Sequence, residues 1–229
     1  LGVACFEQSG LVIAKADVII LAVKPQIVNT VLAQLSQTLQ GTQIIISIAA
    51  GITISSIRQQ LNNAPNAIVR VMPNTPALVG QGISALASDL PLDGTTKTVA
   101  EEIFNSCGKT VWVGGENTMD TITAVSGSGP AYFFLMIENL INTGVRLGLA
   151  PEVARELVVQ TAKGAAEMVE FSDVGPDVLR QRVTSPGGTT EAALGVFNDG
   201  DFADLVDRAL VAARDRAGEL SEDAPINLS

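Results

Sequence analysis

Short apolar runs alternate with segments of helical spacing in the first half of the chain. Runs of this length without polar interruption are typical of strands buried on both faces of a parallel sheet. Strands that alternate with helices predict such a sheet with helices covering both faces. Five strands are predicted, at Val18–Val23, Ile44–Ile48, Ala67–Met72, Ile83–Ala87 and Thr110–Val113, with helices between them at 27–39, 53–61 and 95–107.

The pattern changes near Gly114-Gly115, after which only helical spacing is found. Helices are predicted at 117–125, 131–147, 151–170, 176–183, 189–198 and 201–219. The predicted fold class is therefore α/β followed by all-α, with one domain at 1–115 and an all-helical domain at 116–229. The helix at 131–147 is apolar on nearly every side, so it must be buried, and we expect it to form a dimer contact.

Composition indicates a folded chain that does not bind nucleic acid. Of the 229 residues, 47% are hydrophobic and 17% are charged, which is typical of a globular protein. The net charge of −10 falls entirely on the second half, and an acidic surface repels phosphate backbones. No apolar run reaches the roughly 18 residues that span a membrane, and no signal peptide is recognised.

The chain has no histidine, and its two cysteines, Cys5 and Cys107, are far apart in the sequence. The absence of histidine excludes Ser-His-Asp triads, Cys-His pairs and histidine-ligated metals, and no metal site is predicted. Isolated cysteines do not indicate a disulfide framework, so we expect a reducing, cytoplasmic setting.

Three loops follow successive predicted strands, at Ala22-Val23-Lys24-Pro25, Ala49-Ala50-Gly51 and Met72-Pro73-Asn74-Thr75-Pro76. In a doubly wound sheet, ligands bind at the carboxyl ends of the strands. Small residues and prolines there let a flat ring lie against the backbone, with Lys24 and Asn74 as polar contacts. The alternative is ordinary strand-to-helix turn chemistry.

The usual dinucleotide fingerprint, GxGxxG after a first strand, does not occur in residues 1–20. Residues 1–16 resemble the tail of an earlier segment. We therefore expect a partial dinucleotide-binding domain that lacks its first βαβ portion, since a complete one would need about two more strands ahead of Leu1.

Two glycine- and hydroxyl-rich segments precede predicted helices in the second half. Ser126-Gly127-Ser128-Gly129-Pro130 is interpreted mainly as a helix start, because serine suits a cap and proline suits the first turn. Thr184-Ser185-Pro186-Gly187-Gly188-Thr189-Thr190 contains more hydroxyls and glycines than a cap needs. Main-chain N–H groups at such a helix start can hold a carboxylate, which favours a ligand-binding role.

Taken in order, VIILAVKPQ, SIAAGI, RVMPNTPA, VSGSGPAYFF and LRQRVTSPGGTTEAAL resemble the pyrroline-5-carboxylate reductase family. The resemblance covers the chain from Ala16 onward. It implies a Rossmann-type cofactor domain, a C-terminal helical dimerisation domain with interlocked helices, and assembly of dimers into rings such as a decamer. It also implies reduction of 1-pyrroline-5-carboxylate, a small imino acid, to L-proline with NADPH or NADH and without a metal.

The resemblance also assigns site residues. It implies that the cofactor is bound by Ala22, Val23, Lys24, Pro25, Ala50 and Asn74, and the substrate by Ser185, Gly187, Gly188, Thr189 and Thr190. Backbone amides and Ser185 would hold the carboxylate, and Thr190 would be catalytic at the ring nitrogen. At Asn117 and Arg182 the chain carries residues that differ from some family members.

Two alternatives remain open from the sequence. One is a related NAD(P)-dependent reductase with another small acid substrate. Hydroxyacid dehydrogenases use a catalytic lysine in their helical part, whereas Lys163 is the only lysine after residue 115 here. The other is a catalytically impaired fragment that still assembles through its apolar helices.

Overall fold

The computed structural model describes residues 2–7 and 10–222. These form two compact units. The first contains the described residues up to Pro130 together with those from Leu210 on, and the second is Ala131–Ala209. The domain boundary predicted at residue 115 lies inside the first unit, which also takes in the end of the chain's last described helix.

The first unit is built on a five-stranded sheet whose strands lie in the order β1-β2-β3-β4-β5. All five predicted strands are confirmed, with ends shifted by at most two residues. The strands are β1 (Val18–Leu21), β2 (Ile44–Ser47), β3 (Ala67–Met72), β4 (Gly82–Ala87) and β5 (Gly108–Trp112).

The sheet is mixed, whereas the sequence predicted a parallel one. β1, β2 and β3 run parallel, and so do β4 and β5, but β3 and β4 are antiparallel. Residues 73–81, with a 3₁₀ turn at Thr75–Val79, are the whole connection between β3 and β4. A crossover between parallel strands needs about a dozen residues or more, so this short loop can only reverse the chain direction.

Helices cover both faces of the sheet, as predicted. The α-helices that lie wholly within this unit are α1 (Gly10–Ile13), α2 (Pro25–Leu35), α3 (Ile54–Gln60), α4 (Gly94–Asn105) and α5 (Met119–Ile122). α2 and α3 pack on one face with Ile45, whereas α4 packs on the other with Ile46. Successive strand residues point to opposite faces, so the continuous apolar runs supply both cores at once.

The later helices are α6 (Gly129–Arg146), α7 (Pro151–Glu170), α8 (Pro176–Arg182), α9 (Thr189–Asp199) and α10 (Phe202–Glu222). In the described part of the chain no strand follows Trp112, which agrees with the expected change to helix. None of the helices described here is both long and apolar enough to cross a membrane.

Candidate active site

The loops after β1 and β2 lie side by side at the carboxyl edge of the sheet. Their strands are parallel and in register, with Leu21 opposite Ser47, so both loops leave the sheet at the same edge. Ala22, Lys24 and Ala50 are exposed there. Two exposed methyl-sized side chains and one cation at this edge form a shelf on which a flat, anionic ligand can lie.

The turn after β2 depends on Gly51. Its φ of +73° lies in the left-handed region, where glycine has no steric penalty. A Cβ at this position would also stand 2.8 Å from the carbonyl oxygen of Leu220, in the last turns of α10. Thr53 then caps α3 by accepting the Ser56 N–H at 3.1 Å, as the sequence predicted.

A charged pair joins this turn to β3. One carboxylate oxygen of Glu116, at the start of a 3₁₀ turn (Glu116–Thr118), accepts the N–H of Ile54 at 2.7 Å. The same oxygen receives Arg70 Nη1 at 2.6 Å. Arg70 lies within β3 and is only 6% exposed, so Glu116 neutralises a buried guanidinium.

Asn74 is engaged within the fold at both ends of its amide. Its oxygen accepts the Ile83 N–H at 3.0 Å, and its nitrogen donates to the carbonyl oxygen of Ser126 at 3.1 Å. The sequence placed Asn74 in the cofactor site. Its hydrogen bonds show that it fixes the loop after β3 to β4 and to the segment before α6.

That segment is a π-helix at Thr123–Gly127. Such π segments are rare and occur frequently at functional sites. A side chain at Gly127 would overlap the terminal methyl of Met72, so glycine lets the π-helix approach the end of β3 closely. The helix start predicted at 126–130 is confirmed, because α6 begins at Gly129 with Pro130 in its first turn.

The hydroxyl- and glycine-rich turn lies in the second unit and leads directly into α9. Gly187 has a φ of +71°, and its N–H donates to the carboxylate of Glu191 at 2.7 Å. The Gly188 N–H donates to the Ser185 carbonyl oxygen at 2.9 Å. Gly188 is the N-cap of α9 and its position carries no side-chain cap. The first N–H groups of α9 are therefore not covered by a capping side chain.

Comparisons with known proteins identify the family. A family model described as pyrroline-5-carboxylate reductase dimerisation matches residues 116–220, and one described as coenzyme F420-dependent NADP oxidoreductase matches residues 1–51. The pyrroline-5-carboxylate reductase of Pseudomonas aeruginosa is 45% identical over 94% of this chain and 79% of its own length. This chain belongs to the pyrroline-5-carboxylate reductase family. The Arabidopsis thaliana reductase is 39% identical over 96% of this chain and 79% of its own length.

Solved structures of pyrroline-5-carboxylate reductases share the fold. The Coxiella burnetii enzyme has a TM-score of 0.89 at 40% identity, covering 96% of this chain and 82% of its own. The Plasmodium falciparum enzyme, solved with NADP bound, has a TM-score of 0.86 at 38% identity, covering 94% and 81%. The predicted family and the α/β plus helical fold class are thus confirmed.

The predicted site residues fall into two groups, one in each compact unit. The first unit carries Ala22, Val23, Lys24, Pro25, Ala50 and Asn74, and the second carries Ser185, Gly187, Gly188, Thr189 and Thr190. Sequence reasoning missed Glu116 and Arg70. A signal was present, because Arg70 is the only charged residue in the strand AIVRVM, and a buried charge requires a partner.

Proposed function

We propose that this chain reduces 1-pyrroline-5-carboxylate to L-proline, taking a hydride from NADPH or NADH. The observation that carries the proposal is the turn at 184–190, which presents hydroxyls and uncapped helix N–H groups in a chain of this family. An imino acid with one carboxylate and one ring nitrogen matches those donors. Two hydroxyl-bearing residues, Ser185 and Thr189, are exposed in the turn, and Thr190 is half-buried.

The loop's own hydrogen bonds narrow the choice of carboxylate donors. The N–H groups of Gly187 and Gly188 are already engaged with Glu191 and Ser185. We therefore assign the carboxylate to the N–H groups of Thr189 and Thr190 and to the Ser185 hydroxyl. The positive end of the helix dipole of α9 adds to this attraction. The two glycines then serve to shape the turn.

Thr190 is the residue we assign to the ring nitrogen. Its hydroxyl can accept the N–H of the protonated imine, which orients the C=N bond, and can donate to the nitrogen lone pair that forms as the imine becomes an amine. A protonated imine is already a good electrophile, so the protein's main contribution is positioning. Holding donor and acceptor carbons roughly 3–3.5 Å apart can supply several kcal/mol of the barrier.

The residues after β1 and β2 fit a nicotinamide cofactor. Exposed Ala22 and Ala50 leave room for planar rings at the sheet edge, and Lys24 offers a cation to phosphate groups. Gly51 keeps the second loop tight by permitting a left-handed turn. The reduced nicotinamide supplies the hydride, and the protein's task on this side is to hold the rings against the shelf.

The substrate site is completed, in our proposal, in a homodimer. Phe133, Phe134 and Leu135 on α6 are 71%, 62% and 61% exposed in the single chain, and these consecutive apolar side chains point in different directions around the helix, where a second copy would cover them. The match to a dimerisation family over residues 116–220 supports the same partner. The proposal also includes two details, namely that the helices of the two subunits interlock and that dimers assemble up to a decamer.

We also place the enzyme in the cytoplasm. Cys5 and Cys107 are both free thiols in the described chain, which suits a reducing compartment.

An assay that follows NAD(P)H absorbance, which falls when the imine is reduced and rises when a hydroxy acid is oxidised, decides the function. We expect turnover with 1-pyrroline-5-carboxylate and none with small 2-hydroxy acids and NADP⁺. Lys163, the lysine that a hydroxyacid dehydrogenase would need, is 65% exposed on α7 and pairs with Glu167. Turnover of a hydroxy acid instead would contradict the proposal. A chain that assembles but binds no NADPH in a fluorescence titration would show an impaired fragment.

A further inference from the structure

The carboxylate of Glu116 connects two segments that are distant in sequence. Its Oε1 accepts the Ile54 N–H at 2.7 Å and Arg70 Nη1 at 2.6 Å. These partners stand 62 and 46 residues before it in the chain. One oxygen thus joins the first residue of α3 to the middle of β3.

Burial makes this connection rigid. Arg70 is 6% exposed inside a central strand, and Ile54 is fully buried in the core under α3. A buried guanidinium cannot give up its partner without a large desolvation cost, so Arg70 fixes the orientation of Glu116. Glu116 in turn is a charged acceptor for a main-chain N–H at a helix start, where an anion is favoured.

The residues held in this way border the proposed cofactor loop. Ile54 is the third residue after the turn Ala49-Ala50-Gly51, and the intervening Ile52 is buried in the same core. On its other side, Gly51 packs against the carbonyl oxygen of Leu220. Both Glu116 and Leu220 belong to residues 116–220, the segment that matches the dimerisation family.

We propose that Glu116, held by Arg70, is a positioning residue that sets the Ala49–Gly51 turn for the cofactor. It acts through the N-terminus of α3 and touches neither substrate nor reacting atoms. The segment of the chain after the sheet therefore shapes the cofactor loop within the same subunit. This inference rests on the proposed function only for the identity of the ligand.

Hydrogen exchange measured by mass spectrometry tests, without any ligand, whether Glu116 holds the Ala49–Gly51 turn in place. In Glu116→Ala, we expect the peptide covering residues 48–57 to exchange at least about tenfold faster. Peptides from α4 should not change, because α4 lies on the opposite face of the sheet. Glu116→Gln keeps an oxygen for Ile54 and should show a smaller effect, and it is the deciding variant if Glu116→Ala does not fold.

The functional part of the proposal is tested by comparing the constants for NADPH with the KM for pyrroline-5-carboxylate. We expect the Kd and KM for NADPH to rise about 5–10-fold in Glu116→Gln, with the KM for pyrroline-5-carboxylate unchanged. Glu101→Gln is the matched control, since Glu101 also accepts a side-chain hydrogen bond, from Trp112 Nε1, but on α4.

The outcomes separate cleanly. Unchanged exchange at 48–57 in both variants overturns the inference. Faster exchange with an unchanged Kd for NADPH also overturns it, because the contact would then be structural only. If the parent chain itself binds no NADPH, the proposed function fails, whereas the role of Glu116 in holding the turn is still judged by exchange alone.

Discussion

The side-chain nitrogen of Asn74 donates a hydrogen bond to the carbonyl oxygen of Ser126 across 3.1 Å. Because the Asn74 oxygen simultaneously accepts the Ile83 N–H, the amide must point in one direction only. It ties the loop after β3 to the π-helix, and so fixes the end of one strand against the start of α6.

Asn74→Asp tests the hydrogen bond between Asn74 and Ser126. The carboxylate keeps an acceptor for Ile83 but faces the Ser126 oxygen without a proton to donate. We expect a loss of about 1–3 kcal/mol in the free energy of unfolding, measured in urea, and a fall in kcat/KM. Asn105→Asp is the control, because Asn105 Oδ1 accepts the Thr110 hydroxyl at 3.0 Å and an aspartate there keeps that acceptor. Equal effects of the two substitutions would contradict the assignment.

A comparison of Gly51→Ala with Gly80→Ala distinguishes backbone strain from steric overlap. Gly51 and Gly80 have nearly equal φ values, +73° and +70°, but only Gly51 faces a nearby atom, Leu220 O. We expect Gly80→Ala to cost about 1 kcal/mol from the left-handed backbone alone. Gly51→Ala should cost more and weaken NADPH binding. Denaturant midpoints and fluorescence titrations of both variants give the comparison, and identical midpoints would argue against the α10 contact.

Thr190→Ala removes the hydroxyl that we assign to the ring nitrogen. We expect kcat/KM for pyrroline-5-carboxylate to fall about 10–100-fold, the equivalent of one hydrogen bond of roughly 1.5–3 kcal/mol. Thr190→Ser retains the hydroxyl and should recover much of the loss. Activity within twofold of the parent for the alanine variant would remove Thr190 from the mechanism.

Glu191→Ala frees the Gly187 N–H and removes a negative charge from the turn at 184–190. We expect the KM for the imino acid to change several-fold, because the turn loses the contact that shapes it. The KM for NADPH should stay constant. Glu191→Gln retains an acceptor oxygen and should lie nearer the parent. A change in the NADPH constant instead would place Glu191 in another role.

Asp89 gives a pH dependence of stability. Arg58, bonded through Nε at 2.7 Å and Nη2 at 2.8 Å, holds the pKa of the Asp89 carboxyl below its usual 3.8. A lowered folded pKa stabilises the fold above pH 3.8, and this contribution disappears as the pH falls through the folded value. The pair is partly exposed, so we expect less than about 1 kcal/mol.

Urea unfolding of the parent and of Asp89→Asn at pH 7 and at pH 3 measures this contribution. The two proteins should differ at pH 7 and converge at the lower pH. A difference that persists undiminished in acid would show that the ion pair is not its source.

The sequence was sufficient to predict the strands and helices, but it was not sufficient to predict the contacts between them. The strands were predictable because burial on both faces requires continuous apolar runs, as in IIIS of β2. The cap of α3 was also predictable, because Thr53 accepts the N–H of Ser56, which is only three residues later in the chain. The reversal at β4 could have been inferred from the short loop before it, but the strand pattern alone carries no direction.

Long-range polar contacts escaped prediction for a physical reason. Glu116 finds its partners 46 and 62 residues away, and no periodic pattern encodes such pairings. The same holds for Asn74 and Ser126, which are 52 residues apart. The glycine turn at 184–190 could be predicted as a substrate site because its hydroxyls and glycines lie in seven consecutive residues.

The order of the sheet has a consequence for how the chain is made. From β2 on, each described strand pairs with the described strand that precedes it in the chain, so none of these four is inserted between two that have already joined. The sheet can grow at one free edge as the polypeptide leaves the ribosome, with every closure spanning a short stretch of chain. Nascent chains halted after successive strands should therefore gain protease resistance stepwise.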